Sequence, residues 1–298
     1  MSLTALTLLL GMGQPAPADP MNLPIGTPGK ATLGLGYHDL RTNKVTDLDQ
    51  IVKAVENHRF VFFGESHDKL AHHQGQAAVI DALARSGRSV VVGFEMFTRP
   101  NQKNLARWTL GKETEEEFIA NSDWKTQWGF DFALYRPIFD VVRQNRLPMV
   151  ALNVPRDWVR TVGKSGFAGL SPEAKAQLPE MFLGNTYHRS IFTAMMGGHE
   201  MPNMDNTYAA MVLWDEGMAD SALKYMQWRS GKKPIMVIVA GLGHGLYKQG
   251  INYRINRRTG EDVFTIISVE REKDGPTVVS RGIGDVAFAP ETAGATNK

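Results

Sequence analysis

Four short apolar runs in this chain each end on glycine, asparagine or charge and pass directly into a helix-length stretch. They read Phe60-Val-Phe-Phe-Gly-Glu-Ser-His67, Ser89-Val-Val-Val-Gly-Phe-Glu-Met-Phe97, Met149-Val-Ala-Leu-Asn-Val-Pro-Arg156 and Ile235-Met-Val-Ile-Val-Ala-Gly-Leu-Gly-His244. Runs without apolar/polar alternation suit strands covered on both faces. Strands that alternate with helical segments, here residues 71–86, 135–145 and 206–229, build a parallel sheet. The expected fold is α/β, a mainly parallel sheet flanked by helices. A later run, 263–269, predicts one more strand, and the stretch 157–205 reads as a helical insertion or lid after the third core strand.

The chain divides into a Pro/Gly-rich leader over 1–30, one α/β domain over 31–290 and a small, polar tail over 291–298. With 298 residues and 43% hydrophobic content it can bury a large core. Thirty-three basic residues stand against thirty-one acidic ones, evenly spread, which excludes an electrostatic footprint for nucleic acid. Cysteine is absent, so disulfides, a thiolate metal site, a cysteine nucleophile and a cysteine lipidation point on this chain are excluded. The apolar run 4–13, followed by a Pro/Ala linker, has the character of a signal-peptide core without its basic flank and is too short to span a bilayer. It predicts an exported protein.

In an open parallel sheet, ligands bind where the carboxyl ends of the strands emerge. The four runs bring Glu65, His67 and Asp68, then Glu95 and Arg99, then Asn153 and Arg156, then His244 to that edge. Glu65, His67, Glu95 and His244, with Asp215 directed in from a helix, are candidates for a divalent-metal site or for general acid–base chemistry. The competing reading is a buried salt network with turn glycines. His72 and His73, adjacent in sequence, diverge on a helix and are read as a solvated helix start. The aromatic stretch Phe118, Trp124, Trp128, Phe130 and Phe132 is read as core packing. Dinucleotide, phosphate-loop and Gly-x-Ser-x-Gly templates are missing.

Beyond these patterns, the span from about residue 48 to 290 resembles the ChaN-like haem-binding lipoproteins of bacteria. The resemblance rests on Phe62-Phe-Gly-Glu-Ser-His-Asp68 with His72-His73-Gln74, Gly93-Phe-Glu-Met-Phe97, Trp128-Gly-Phe-Asp-Phe132, Tyr135-Arg-Pro137, Pro148-Met-Val-Ala-Leu-Asn-Val-Pro-Arg156, Trp214-Asp215 with Met218-Ala219, and Ala240-Gly-Leu-Gly-His244 with Gly250-Ile251, in that order. It implies haem binding in iron acquisition, a periplasmic or outer-membrane location and a homodimer around two stacked haems. It also implies a lipid anchor on an N-terminal cysteine that this chain lacks.

Haem needs an axial donor, an apolar slot and groups for its propionates. Tyr187, His188, His199 and Tyr208 are the axial candidates; Arg99 and Arg156 are the propionate candidates; Phe182, Phe192, Met195, Met196 and Met201 are candidates to line the macrocycle. The competing reading is a Met-rich lid that covers the core. The same Gly-x-x-His elements resemble a wider superfamily of erythromycin-esterase-like hydrolases and Tiki metalloproteases. That resemblance implies the rival function, a metal-dependent ester or amide hydrolase using Glu65, His67, Glu95 and His244.

Overall fold

The computed structural model describes residues 18–198, 202–228 and 234–291. The leader run 4–13, the tail 292–298, His199 and Met201 lie outside the described residues.

Ten strands are described: β1 (Lys30–Leu33), β2 (Gly36–Asp39), β3 (Lys44–Thr46), β4 (Phe60–Glu65), β5 (Val90–Thr98), β6 (Met149–Asn153), β7 (Ile235–Gly241), β8 (Val263–Ser268), β9 (Thr277–Ser280) and β10 (Val286–Ala289). Eight of them form one sheet in the order β3-β2-β10-β8-β4-β7-β5-β6, and β1 pairs with β9 in a separate ribbon. Every pairing from β10 to β6 is parallel, and β2 and β3 add an antiparallel edge. The protein is therefore α/β with a mostly parallel sheet flanked by helices.

The unbroken apolar runs are explained by two covers. Val61 and Phe63 of β4, and Ile235, Val237 and Val239 of β7, pack into one core with Ile80, Leu83, Ile138 and Phe139 of the Leu70–Arg85 and Phe132–Gln144 helices. Phe60 and Phe62, and Met236, Ile238 and Ala240, pack into the opposite core with Met218 and Ala222 of the Met204–Gln227 helix and Ile251 and Ile255 of the Ile251–Thr259 helix. Each fully buried Phe, Val or Ile contributes on the order of 1.5–3 kcal/mol, so the central strands anchor both layers. Between β6 and Met204 lie the Arg156–Ser165, Pro172–Ala176 and Thr186–Met195 helices. Trp158, Val159 and Val162 of the first pack against Ala209, Ala210 and Leu213 of the Met204–Gln227 helix.

The order of β4, β7 and β5 places the carboxyl end of β7 between the other two. Glu65 is in register with Gly241. The pairing of β5 with β6 is irregular between Phe94 and Thr98, the stretch that carries Glu95. Such irregularities re-aim side chains near functional sites.

Candidate functional site

Glu65 ends β4, His67 follows it in the turn, Glu95 lies in the irregular end of β5, and His244 follows β7 in a one-turn 3-10 helix. The turn after β4 is held by His72, whose Nδ1 accepts from the Ser66 N–H at 3.1 Å. Burial pushes the His72 ring down to about 4, so it stays neutral and accepts that bond. Gly241 leaves room for His67: a Cβ there would lie 2.7 Å from the imidazole Cε1.

Two linked ion chains result. In the first, His67 Nδ1 lies 2.6 Å from Glu65 Oε1, and His73 Nε2 lies 3.4 Å from Glu65 Oε2. In the second, His244 Nε2 lies 3.2 Å from Glu95 Oε1 and its Nδ1 2.6 Å from Asp215 Oδ1. Asp215 Oδ2 is 2.9 Å from His188 Nε2 and 3.4 Å from Arg254 Nη1, and His188 Nδ1 is 3.2 Å from the Tyr208 hydroxyl. The Gly241 N–H donates to Glu95 Oε2 at 2.7 Å. Glu65, Glu95, Asp215, His188, Tyr208, His244 and Arg254 are all buried, whereas 31% of the His67 side chain is exposed.

Charge is retained in this low-dielectric environment by pairing. Burial raises Glu95, but the His244 charge and hydrogen bond bring it down to about 2. Burial lowers His244, but the charge of Glu95 and the hydrogen bonds to Asp215 and Glu95 lift it to about 10. Asp215 is held below the usual carboxylate range: the Arg254 charge and the bonds from His188 and His244 outweigh its burial. Burial lowers His67 as well, yet its bond to Glu65 and the Glu95 charge leave it raised. His188 is lowered because burial there exceeds the pull of Asp215. At neutral pH the buried His244 is thus an imidazolium held between Glu95 and Asp215, and His67 is the partly exposed imidazole of the centre.

The sequence-predicted residues Glu65, His67, Glu95, Asp215 and His244 are brought together, and His188 and Tyr208 join their chain. Tyr187 is 57% exposed, one residue from the buried His188. Arg99 is drawn away to Ser221, Asp220 and the Gly217 carbonyl. Arg156 donates to the Thr126 carbonyl at 2.8 Å at the mouth of a cleft beside the site.

Three expectations need correction. His72 and His73 are 1% and 0% exposed, not a solvated helix start, because the helix N-terminus dips under β4 to meet Ser66 and Glu65. Phe118, Trp124 and Phe132 are core and Trp128 packs against it, but Trp128 and Phe130 also lie on the His67 ring at 4.6 and 5.3 Å and so wall the site. The divalent-metal expectation is not supported: among the described residues no group of three His, Asp or Glu side chains could hold a metal ion. The carboxylates face imidazoles or Arg254 rather than a common point. Arg254 itself escaped the sequence reading, since a basic residue in a helix rich in arginine carries no mark of burial.

The turn that presents His244 is closed by Gly250. A Cβ at this position would lie 1.9 Å from the His244 carbonyl oxygen, a backbone atom that no rotamer change can move. Gly250→Ala is expected to cost about 1–3 kcal/mol through overpacking. Urea unfolding checks this, and unchanged stability would contradict the close approach.

Residues 51–255 match the model of a family described as haem-binding uptake, Tiki superfamily, ChaN. The chain belongs to this family. The matched span contains every residue of the two ion chains, from Glu65 to Arg254. Among solved structures, the chain is similar to ChaN of Campylobacter jejuni, described with cofacial heme binding. That likeness has a TM-score of 0.62 at 16% identity over 85% of this chain and 95% of that one, and it shows a shared fold. Looser likenesses are a mutant of the erythromycin esterase EreC in its open conformation (TM-score 0.46, 12% identity, 85% and 83% covered) and the type III effector HopBA1 (0.45, 11%, 83% and 94%). No curated protein matches the chain in sequence.

Proposed function

We propose that this protein binds haem in haem uptake, with Tyr187 as the axial donor. Membership of the haem-binding family supports the activity. One observation carries the choice of residue: Tyr187 stands 57% exposed with no hydrogen bond to its phenol among the described residues. Tyr208 and His188 are buried and mutually bonded. A phenol oxygen is an established type of haem-iron donor.

Tyr187 sits in the first turn of the Thr186–Met195 helix, where the Asn185 side chain accepts from the His188 N–H at 3.1 Å and the His188 ring is anchored in the core. A rigid backbone beneath an exposed donor is the preorganisation a binding site requires. Exposed Leu183 lies four residues before it and adds apolar surface. A porphyrin on so open a face is half covered, which favours a second copy of the chain above it. The cofacial arrangement named for the Campylobacter jejuni protein supports that pairing. We read the helices between β6 and Met204 as the helical insertion that carries the ligand face. The apolar run 4–13 supports export to the periplasm or outer membrane.

Haemin titration followed by absorbance and by size on a column tests this reading. The wild type is expected to show a saturable Soret shift with a doubling of size. Tyr187→Phe is expected to lose about tenfold or more in affinity, as removal of an axial ligand should. A wild type with no spectral shift, or a variant with an unchanged spectrum, would sink it.

A second reading has its own observation. His67, partly exposed and raised by Glu65 and Glu95, is a proton donor poised over strand ends in a chain of buried carboxylates. This arrangement suits acid–base hydrolysis of an ester or amide without a metal. Turnover of an ester panel by the wild type, abolished in His67→Ala, supports it; an inert wild type removes it.

A further inference from the structure

Beside the ion chains, a cleft of about 540 Å³ opens over the carboxyl ends of β5 and β6. That volume lies in the range of small-molecule sites. Its walls join directly to the centre. Trp214 lines the cleft and packs edge-on against the His244 ring at 5.9 Å. Thr126 and Gln127 line it as well, and the next residue, Trp128, packs on His67 at 4.6 Å.

The cleft has a charge asymmetry. Arg156 and Arg160, one helical turn apart at the start of the Arg156–Ser165 helix, both line it. Among the described residues neither guanidinium has a carboxylate within ion-pairing distance, although Asp157 also lines the wall. Arg156 gives one bond to the Thr126 carbonyl, which leaves most of its donors free. Trp214 and Val159 supply apolar wall. Elsewhere on the surface, Arg136 and Arg189 each hold an acidic partner.

We infer that this cleft binds a small carboxylic acid with an apolar body, its carboxylate held by Arg156 and Arg160 and its body lying along Trp214 toward His67. The guanidinium fork matches a carboxylate in geometry and charge. Burial lowers Arg156, the Glu95 charge raises it and the neighbouring Arg160 charge lowers it further, so an anion between the two arginines relieves their repulsion. A ligand anchored there presents its far end to the one partly exposed imidazole of the centre. The cleft lining does not include Tyr187, so a change at that residue leaves the arginine pair in place.

The test uses the full chain, haem-free, with calorimetric titration of naphthoate and its uncharged analogue naphthamide. Naphthoate is expected to bind one per chain and about tenfold or more tighter than naphthamide, the discrimination a charge-assisted pair supplies. Arg156→Gln with Arg160→Gln is expected to abolish that preference while thermal unfolding confirms a folded protein, and Tyr187→Phe is expected to leave it unchanged. Equal binding of the two probes, no binding of naphthoate, or full naphthoate binding by the double variant would each overturn the inference. Competition with metal-free protoporphyrin IX then identifies the source of the carboxylate. Displacement of naphthoate assigns the site to porphyrin propionates, and retention assigns it to a small free acid.

Discussion

Asp215→Ala is expected to lower the unfolding free energy by about 3–5 kcal/mol, the range for removing one partner of a buried ion pair. Asp215 is fully buried on the Met204–Gln227 helix and lies within 3.4 Å of three groups that favour its charge: His244 at 2.6 Å, His188 at 2.9 Å and Arg254 at 3.4 Å. Its loss leaves the Arg254 guanidinium, itself 1% exposed, with Glu216 at 3.5 Å as its one acidic partner among the described residues, and leaves His244 dependent on Glu95. Replacing the carboxylate by methyl also opens space that water must fill or the core must close. Urea denaturation of the variant measures the cost. A loss below about 1 kcal/mol, the scale of an exposed pair, would mean that Asp215 is not the hub drawn here. Combined with His244→Ala the losses are expected to be non-additive, because both variants remove the same 2.6 Å contact.

Stability is expected to peak near pH 6.5 through this network. His244 is raised from 6.5 to about 10, so its contribution is complete below 6.5 and is lost as pH rises toward about 10. Glu95 is depressed from 4.5 to about 2, so its contribution is complete above 4.5 and is lost as pH falls toward about 2. His72, lowered from 6.5 to about 4, and His188, also lowered, act in the same direction as the carboxylates. The unfolded chain takes up protons at these rings below 6.5 while the folded one does not, which favours unfolding in acid. The alkaline arm is the diagnostic one, because it depends on raised imidazoles. Melting temperatures from pH 6.5 to 10 are expected to fall in the wild type and to fall less steeply in His244→Gln. A wild type that gains stability over that interval would show that His244 is neutral in the fold.

The strand ends were legible in sequence because a both-faces-buried strand must be apolar throughout, so the first polar residue after it marks where the chain leaves the sheet. Glu65, His67, Glu95 and His244 could be nominated on that ground, and Asp215 by its place after Trp214. The burial of His72 and His73 could not. A helix start is solvated or covered according to which strand it leans on, and that depends on partners far along the chain. Arg99 was nominated by the same strand-end rule as Glu95, yet its side chain is drawn to the Met204–Gln227 helix by Asp220 and Ser221. Arg254 was missed because its buried partner is one helix away and 39 residues earlier, in Asp215.

Sequence by itself determined the class of fold, the polar edge of the sheet and the family, because period, glycine placement and ordered motifs are local properties of the chain. Only the tertiary structure decided what that edge is. The lateral order β8-β4-β7-β5-β6 sets Gly241 between Glu65 and Glu95, and the irregular end of β5 is where Glu95 meets Gly241. The Met204–Gln227 and Ile251–Thr259 helices deliver Asp215 and Arg254 from the opposite layer. Pairing of charges depends on distances of a few ångströms between residues distant in sequence, and no local pattern encodes those distances. They exist only once both cores have closed on the sheet.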